Sequence, residues 1–263
     1  MRCLITGAGS GIGRATAQVL TDHGHDVVAT ARRPDVLDDL DVALRLPLDV
    51  TDDESVAACV AAAGDIDVLV NNAGISETGP LESYPLDVAR RMFETNFFGP
   101  LRLITALVPA MRERGRGVVV NVTSVEGKVA APLAGMYCAT KHALEAASET
   151  LHLEVGHFGV RVVIVEPGYI APGMKGGRRH GEDGTPYEEL RRQWSGADDT
   201  LVGPGGRPAQ ELVSEAIAAA VADTTTPLRI PVGADAEMVL AARRQLDDDA
   251  FHQSMRELLG LSW

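Results

Sequence analysis

Tyr137-Cys138-Ala139-Thr140-Lys141 sets a phenol and an ammonium four residues apart. On a helix that spacing brings both side chains to one face. The chain holds four tyrosines and only three lysines, so chance alone gives about 0.05 such pairs. A free phenol, with pKa about 10, is a poor base near neutral pH. A neighbouring ammonium stabilises the phenolate and lowers that value. Ser124 lies shortly before the pair, at the end of an apolar run. Its hydroxyl can donate a hydrogen bond to a carbonyl or alkoxide oxygen. The chemistry these three types suit is proton transfer at a carbonyl or alcohol.

A second constellation opens the chain. Thr6-Gly7-Ala8-Gly9-Ser10-Gly11-Ile12-Gly13 separates a short apolar run from a helical pattern. Glycines there permit positive φ and a close backbone approach to a ligand. The helix that follows offers free N–H groups and a positive dipole end, a seat for pyrophosphate. The spacing is TGxxxGxG rather than GxGxxG with an acid some 20 residues on. Ala31 ends the second apolar run, and Arg32-Arg33 follow. An acid at that point would bind a ribose 2′-hydroxyl, whereas a guanidinium suits a 2′-phosphate. NADP(H) is therefore the expected cofactor, with NAD(H) as the alternative. In the opposing reading, Arg32 and Arg33 merely offset Asp35, Asp38 and Asp39.

Elements in α/β alternation must position these groups. Strand patterns fall at 2–6, 26–31, 43–48, 66–70, 117–123, 160–166 and 228–232. Helical spacing falls at 12–23, 53–63, 87–114 with a break at Gly99-Pro100, 136–157, 187–194, 209–222, 234–246 and 248–259. Such alternation predicts a parallel sheet. Its carboxyl edge is where sites collect. With 263 residues, 45% of them hydrophobic, the chain can bury a full core, and one domain over 1–263 is expected. A formal net charge of −13 opposes nucleic acid and anionic membrane surfaces. Cys3, Cys59 and Cys138 form no CxxC, and the histidines, including His142, His152 and His157, show no metal-ligand spacing. No metal is expected. No signal-peptide pattern or membrane-length apolar run is present, which fits a cytoplasmic setting.

The ordered set resembles a classical short-chain dehydrogenase/reductase. It comprises the Thr6–Gly13 turn, Asp49-Val50, Asn71-Asn72-Ala73-Gly74, Asn96, Ser124, Tyr137 with Lys141, and Pro167-Gly168. The resemblance implies a doubly wound Rossmann-like fold, a central parallel sheet flanked by helices on both faces. It implies Asn96, Ser124, Tyr137 and Lys141 as the catalytic set. Asp49 and Val50 would meet the adenine. Gly7, Gly9, Ser10, Gly11, Ile12, Gly13, Arg32, Arg33, Asn72, Ala73 and Gly74 would line the cofactor. Lys141 would also reach the nicotinamide ribose, and Pro167, Gly168 and Ile170 would support the nicotinamide face. Each supporting motif also has a plainer reading: Asp49 as a helix cap, Asn72-Ala73-Gly74 as a strand-end turn, Asn96 as an asparagine capping a helix break. At Asn96, a helix irregularity would free a backbone carbonyl to hold a water beside Lys141. Pro172 stands where the family often has Thr or Ser, so the usual carboxamide contact is not expected.

Residues 168–208 lose periodicity and are rich in Gly and Pro, so 169–205 is expected to cover the substrate as a lid. Met174, Tyr187, Leu190 and Trp194 give it apolar pieces; Lys175, Arg178, Arg179 and His180 make a basic patch, also readable as a solvated mobile loop. Glu126, Val129, Met136 and Tyr169 border the expected pocket or belong to the core. The resemblance implies a homodimer or homotetramer through 87–114 and 136–157. Ala143, Leu144, Ala147, Leu151 and Val155 offer a small-residue stripe, which core packing explains equally well. The leading expectation is NADP(H)-dependent interconversion of a carbonyl and an alcohol on a small apolar molecule. The alternatives are an enzyme of the same fold without net redox (a dehydratase, epimerase or cyclase) and a non-catalytic nucleotide sensor.

Overall fold

A computed structural model of the protein describes residues 1–172, 174, 180 and 184–263. Seven strands form one sheet: β1 Arg2–Ile5, β2 Asp26–Ala31, β3 Leu44–Pro47, β4 Val68–Asn71, β5 Gly117–Val122, β6 Val160–Pro167 and β7 Arg229–Val232. Their order is β3-β2-β1-β4-β5-β6-β7, and each neighbouring pair is parallel. The long helices are α1 Gly11–Asp22, α2 Asp53–Ala63, α3 Leu86–Phe93, α4 Gly99–Glu113 and α5 Gly135–Val155. After β6 come the short α6 Glu188–Trp194 and α7 Ala197–Val202, then α8 Glu211–Ala222, α9 Ala234–Gln245 and α10 Asp248–Leu258. This is the doubly wound Rossmann-like arrangement that the alternation predicts.

The strands read as unbroken apolar runs because both faces are covered. Along β1, Cys3 and Ile5 join Leu20, Val70, Val120 and Ile217 in one core. Leu4 points the other way, into a core with Leu69, Leu103, Met111, Val119 and Val162. The sheet order reverses between β1 and β4, which opens the crevice where such folds bind ligands. Hydrogen bonds lace the two strand ends together there. Thr6 Oγ1 accepts from the backbone N–H of Asn72 and of Ala73, each at 2.9 Å, and Asn72 Nδ2 donates to Thr6 O at 2.9 Å.

Helix α5 is tied to the sheet by a buried polar chain. Asn71 Nδ2 donates to Asn121 Oδ1 at 2.9 Å, Asn121 Nδ2 to Ser148 Oγ at 2.7 Å, and Ser148 Oγ to Leu144 O at 2.6 Å. That chain crosses from β4 through β5 to α5 and sets how α5 turns its first two turns toward the carboxyl edge.

Two expectations need correction. The break in 87–114 is a π-helical turn at Glu94–Phe98, one step before Gly99-Pro100. Pro100 sits in the first turn of α4, where its missing N–H costs nothing. Val50, expected at the adenine, packs on Gly99, where a Cβ would lie 2.8 Å from its Cγ2. In the small-residue stripe on α5, Leu144 and Val155 are buried and Leu151 packs on the core, so these three positions serve the chain's own interior. Of the expected lid, the described part carries α6, α7 and a bridge from Ala171 to Ala209. Lys175, Arg178 and Arg179 lie outside the described residues.

Candidate active site

Ser124 ends β5 as the N-cap of a tight turn, Val125–Gly127, and its Oγ accepts from Glu126 N at 3.1 Å. That hydroxyl also contacts Pro167 O at 3.5 Å and hydrogen-bonds the Tyr137 phenol. Tyr137 and Lys141 occupy the first turns of α5, both buried. Lys141 Nζ lies 5.7 Å from the centroid of the Tyr137 ring, so the helical spacing does bring the two together. The expected acidification is not what this arrangement produces. Burial raises the phenol pKa well above its ordinary value, Glu126 raises it further, and only the Ser124 hydrogen bond opposes. Lys141 instead donates to Val122 O at 2.9 Å. Burial pushes its own pKa down to about 8, against the pull of Glu145. Desolvation is the largest influence at both groups, outweighing the Ser124 hydrogen bond at Tyr137 and the attraction of Glu145 at Lys141.

The glycine turn makes a cradle that only glycine permits. Gly7 has φ +70°, and a Cβ on it would stand 2.9 Å from Ala73 Cα. A Cβ on Gly13 would meet Gly7 O at 2.5 Å and Asn72 Nδ2 at 2.3 Å. Ser10 caps α1 with extended backbone and no side-chain hydrogen bond, and no acid occupies the first turn. The first N–H groups of α1 thus face outward beside Gly9, Gly11 and Ile12, a donor set that fits a diphosphate. Arg32 and Arg33 are exposed at the end of β2. Neither forms an ion pair among the described residues, and Asp39 pairs with Arg14 instead. Asp49 Oδ1 accepts from Thr51 N and Oγ1, while the cap of α2 is Asp52. Burial pushes the Asp49 carboxyl up, but those bonds and the charges of Arg32 and Arg102 bring it below its ordinary value.

Two residues hold the floor between the cradle and α5. Asn96, in the π-helical turn, accepts from Ile75 N at 2.8 Å through Oδ1. Its Nδ2 donates to Ile75 O at 2.8 Å and to Thr140 Oγ1 at 3.0 Å. The asparagine side chain therefore staples the strand-end turn to α5. A Cβ on Gly74 would sit 3.4 Å from Asn96 Oδ1 and 3.9 Å from Lys141 Nζ. Asp235, in the first turn of α9, accepts from Tyr169 N at 2.7 Å. It lies so close to Gly168 that a Cβ there would overlap its Oδ2 at 2.2 Å. Ile170 packs on the core under the same turn.

Val125 and Glu126, which follow Ser124 in the chain, line a cavity of about 130 Å³. Its wall is mainly apolar: Val125, Val129, Tyr169, Trp194, Val239 and Phe251, closed by Met255 of α10 and by Leu259 just after it. Glu126 lines it one turn from Ser124. His180, expected on a basic lid patch, is held through Nε2 by Glu77 Oε2 at 2.6 Å, and Arg91 takes the other carboxylate oxygen. Met174 is exposed, and Tyr187 packs against Trp263.

Comparison with known proteins gives the same answer as the geometry. Residues 2–183 match the family model for short chain dehydrogenase. The chain belongs to the short-chain dehydrogenase family. An uncharacterised oxidoreductase of Schizosaccharomyces pombe is 35% identical over 230 residues, 86% of this chain and 97% of its own. A 3-ketodihydrosphingosine reductase of Bacteroides thetaiotaomicron is 39% identical over 183 residues, 68% of this chain and 67% of its own. A crystal structure of a short chain dehydrogenase from Burkholderia cenocepacia in complex with NADP superposes with TM-score 0.79 at 28% identity, covering 97% of this chain and 96% of that one.

As a short-chain dehydrogenase the protein is an oxidoreductase. Ser124, Tyr137, Lys141, Asn96 and the glycine turn converge on one edge, as their motifs predict. The wall built by α9 and α10 escaped the sequence reading, which took those helices only as closing the chain. Asp235 carried a faint signal, an acid two residues past Gly233 at a strand-to-helix turn. Phe251, Met255 and Leu259 carried none, because an amphipathic terminal helix does not reveal what its apolar face covers.

Proposed function

We propose that this dehydrogenase reduces a carbonyl to an alcohol with NADPH on a substrate with an apolar body. The observation that supports it best is the meeting of Ser124, Tyr137 and Lys141 beside the glycine cradle, with Val125 and Glu126, next to Ser124 in the chain, lining the apolar cavity. Gly7, Gly9, Gly11, Gly13 and the N-terminus of α1 would hold the diphosphate, with Arg32 and Arg33 on the 2′-phosphate. NADP in the Burkholderia relative supports that cofactor choice. When bound, it supplies the hydride.

The chain's own groups manage the oxygen and the proton. Ser124 donates to the substrate carbonyl oxygen and holds it against Tyr137. Tyr137 keeps its proton because its pKa is raised, which suits it to protonate the alkoxide as it forms. Lys141, one helical turn on, lies over the tyrosine ring and would hold the cofactor ribose. Its positive charge grows in value as negative charge develops on the phenol. Asn96 positions both through Thr140, whose hydroxyl donates to Tyr137 O at 2.8 Å. The reductase activity of the Bacteroides relative supports the reducing direction.

The test is a panel of ketones followed by NADPH absorbance at about 340 nm, with Tyr137→Phe as control. Turnover that depends on Tyr137 is expected. Product formation without cofactor consumption would replace the proposal with a non-redox reaction.

A further inference from the structure

Glu126 is a carboxylate without a hydrogen-bond or ion-pair partner among the described residues, although its backbone N–H is engaged by Ser124. It is half-buried and lines the apolar cavity. Two chain steps from Ser124 put the two Cα atoms at most about 7 Å apart. Its charge acts on Tyr137 and Cys138 of α5 and on Tyr169 after β6. Asp235 of α9 and His252 and Arg256 of α10 face the same cavity. Asp235 is committed to Tyr169 N, and among the described residues no ion pair joins His252 or Arg256 to Glu126, although both line the cavity. An anion in an apolar wall is costly unless something pairs with it.

We propose that the Glu126 carboxylate binds an ammonium group of the substrate, so that the enzyme acts on amino ketones or amino alcohols whose apolar part fills the cavity. This rests on the carbonyl-reductase reading, in which Ser124 and Tyr137 hold the reacting oxygen. The amino group then stands a few bonds from the carbonyl carbon, because Glu126 follows Ser124 in the same turn. The cation also offsets the negative charge that opposes phenolate formation at Tyr137.

Burial raises the Glu126 pKa to about 7. The carboxylate is the binding form, so affinity for a permanent cation rises as pH passes upward through that value. From pH 6 to pH 8 the rise is roughly tenfold.

Hexylamine and hexan-1-ol, alike in shape and different in charge, are the probes. Each is titrated by calorimetry into the full chain saturated with NADP⁺. Hexylamine is expected to bind at least tenfold tighter than hexan-1-ol at pH 8. In Glu126→Gln the two affinities converge and the pH dependence flattens; Glu126→Asp restores part of the preference, and His252→Gln leaves the preference in place. Thermal melting of each variant shows that it folds. Equal binding of the two probes to the natural protein, no hexylamine binding, or a preference that survives Glu126→Gln overturns the proposal. Ketone turnover is measured separately, so hexylamine binding without turnover would reject the reductase reading alone.

Discussion

Replacing Lys141 with methionine should abolish turnover and yet stabilise the folded chain at neutral pH. The side chain is 5% exposed, and burial lowers its pKa from 10.5 to about 8. That fall corresponds to roughly 3 kcal/mol of disfavour for the charged form in the folded state. Methionine has a similar length and no charge, so it removes the penalty. It also removes the 2.9 Å bond from Nζ to Val122 O, at a cost of about 1–2 kcal/mol. Lys141→Met should therefore be about 1–2 kcal/mol more stable than the natural protein at pH 7. The sign of the linkage gives a stronger test. Between about pH 8 and 10.5 the unfolded chain holds more protons on this lysine than the folded chain does. The natural protein therefore gains stability as pH rises through that window, while the variant does not. The gap should close and then reverse near pH 10.5, where only the lost hydrogen bond remains. Urea unfolding, read by the fluorescence of the two tryptophans, measures both proteins across that range. Taking the difference cancels every other titrating group. A variant less stable at pH 7, or a gap that does not move with pH, would show that Lys141 is not a strained buried charge.

Other perturbations separate the remaining roles. Tyr137→Phe should lose at least a hundredfold in kcat while NADPH affinity, followed by nicotinamide fluorescence, stays within about twofold; near-normal kcat would remove Tyr137 as the proton donor. Arg32→Ala should raise the Kd for NADPH by about tenfold or more and leave that for NADH unchanged; equal effects would dismiss the phosphate contact. Asn96→Ala breaks three hydrogen bonds and strands the Ile75 N–H and carbonyl, so it should destabilise the chain by about 2–4 kcal/mol in urea unfolding. Gly168→Ala forces Asp235 off Tyr169 N and should raise KM for the carbonyl substrate more than it lowers thermal stability; unchanged kinetics would show that this turn does not shape the site.

Local order was enough for much of this protein. Strand and helix periods, a glycine turn between them and a Tyr-xxx-Lys step are short-range properties, and the backbone enforces them wherever they occur. Hence the sheet, the cradle and the meeting of Tyr137 with Lys141 were legible in the residues alone. Burial was not, because it depends on what the rest of the chain lays over a group. The sequence promised an acidified phenol; packing raised it instead, by desolvating the ring and setting Glu126 beside it. Asp235, His252 and the apolar face of α10 reach the site from beyond residue 234, across a distance in sequence that no pattern bridges. The type of chemistry is written in neighbouring residues, whereas proton affinities and the shape of the pocket are set by contacts that form only when distant segments close over them.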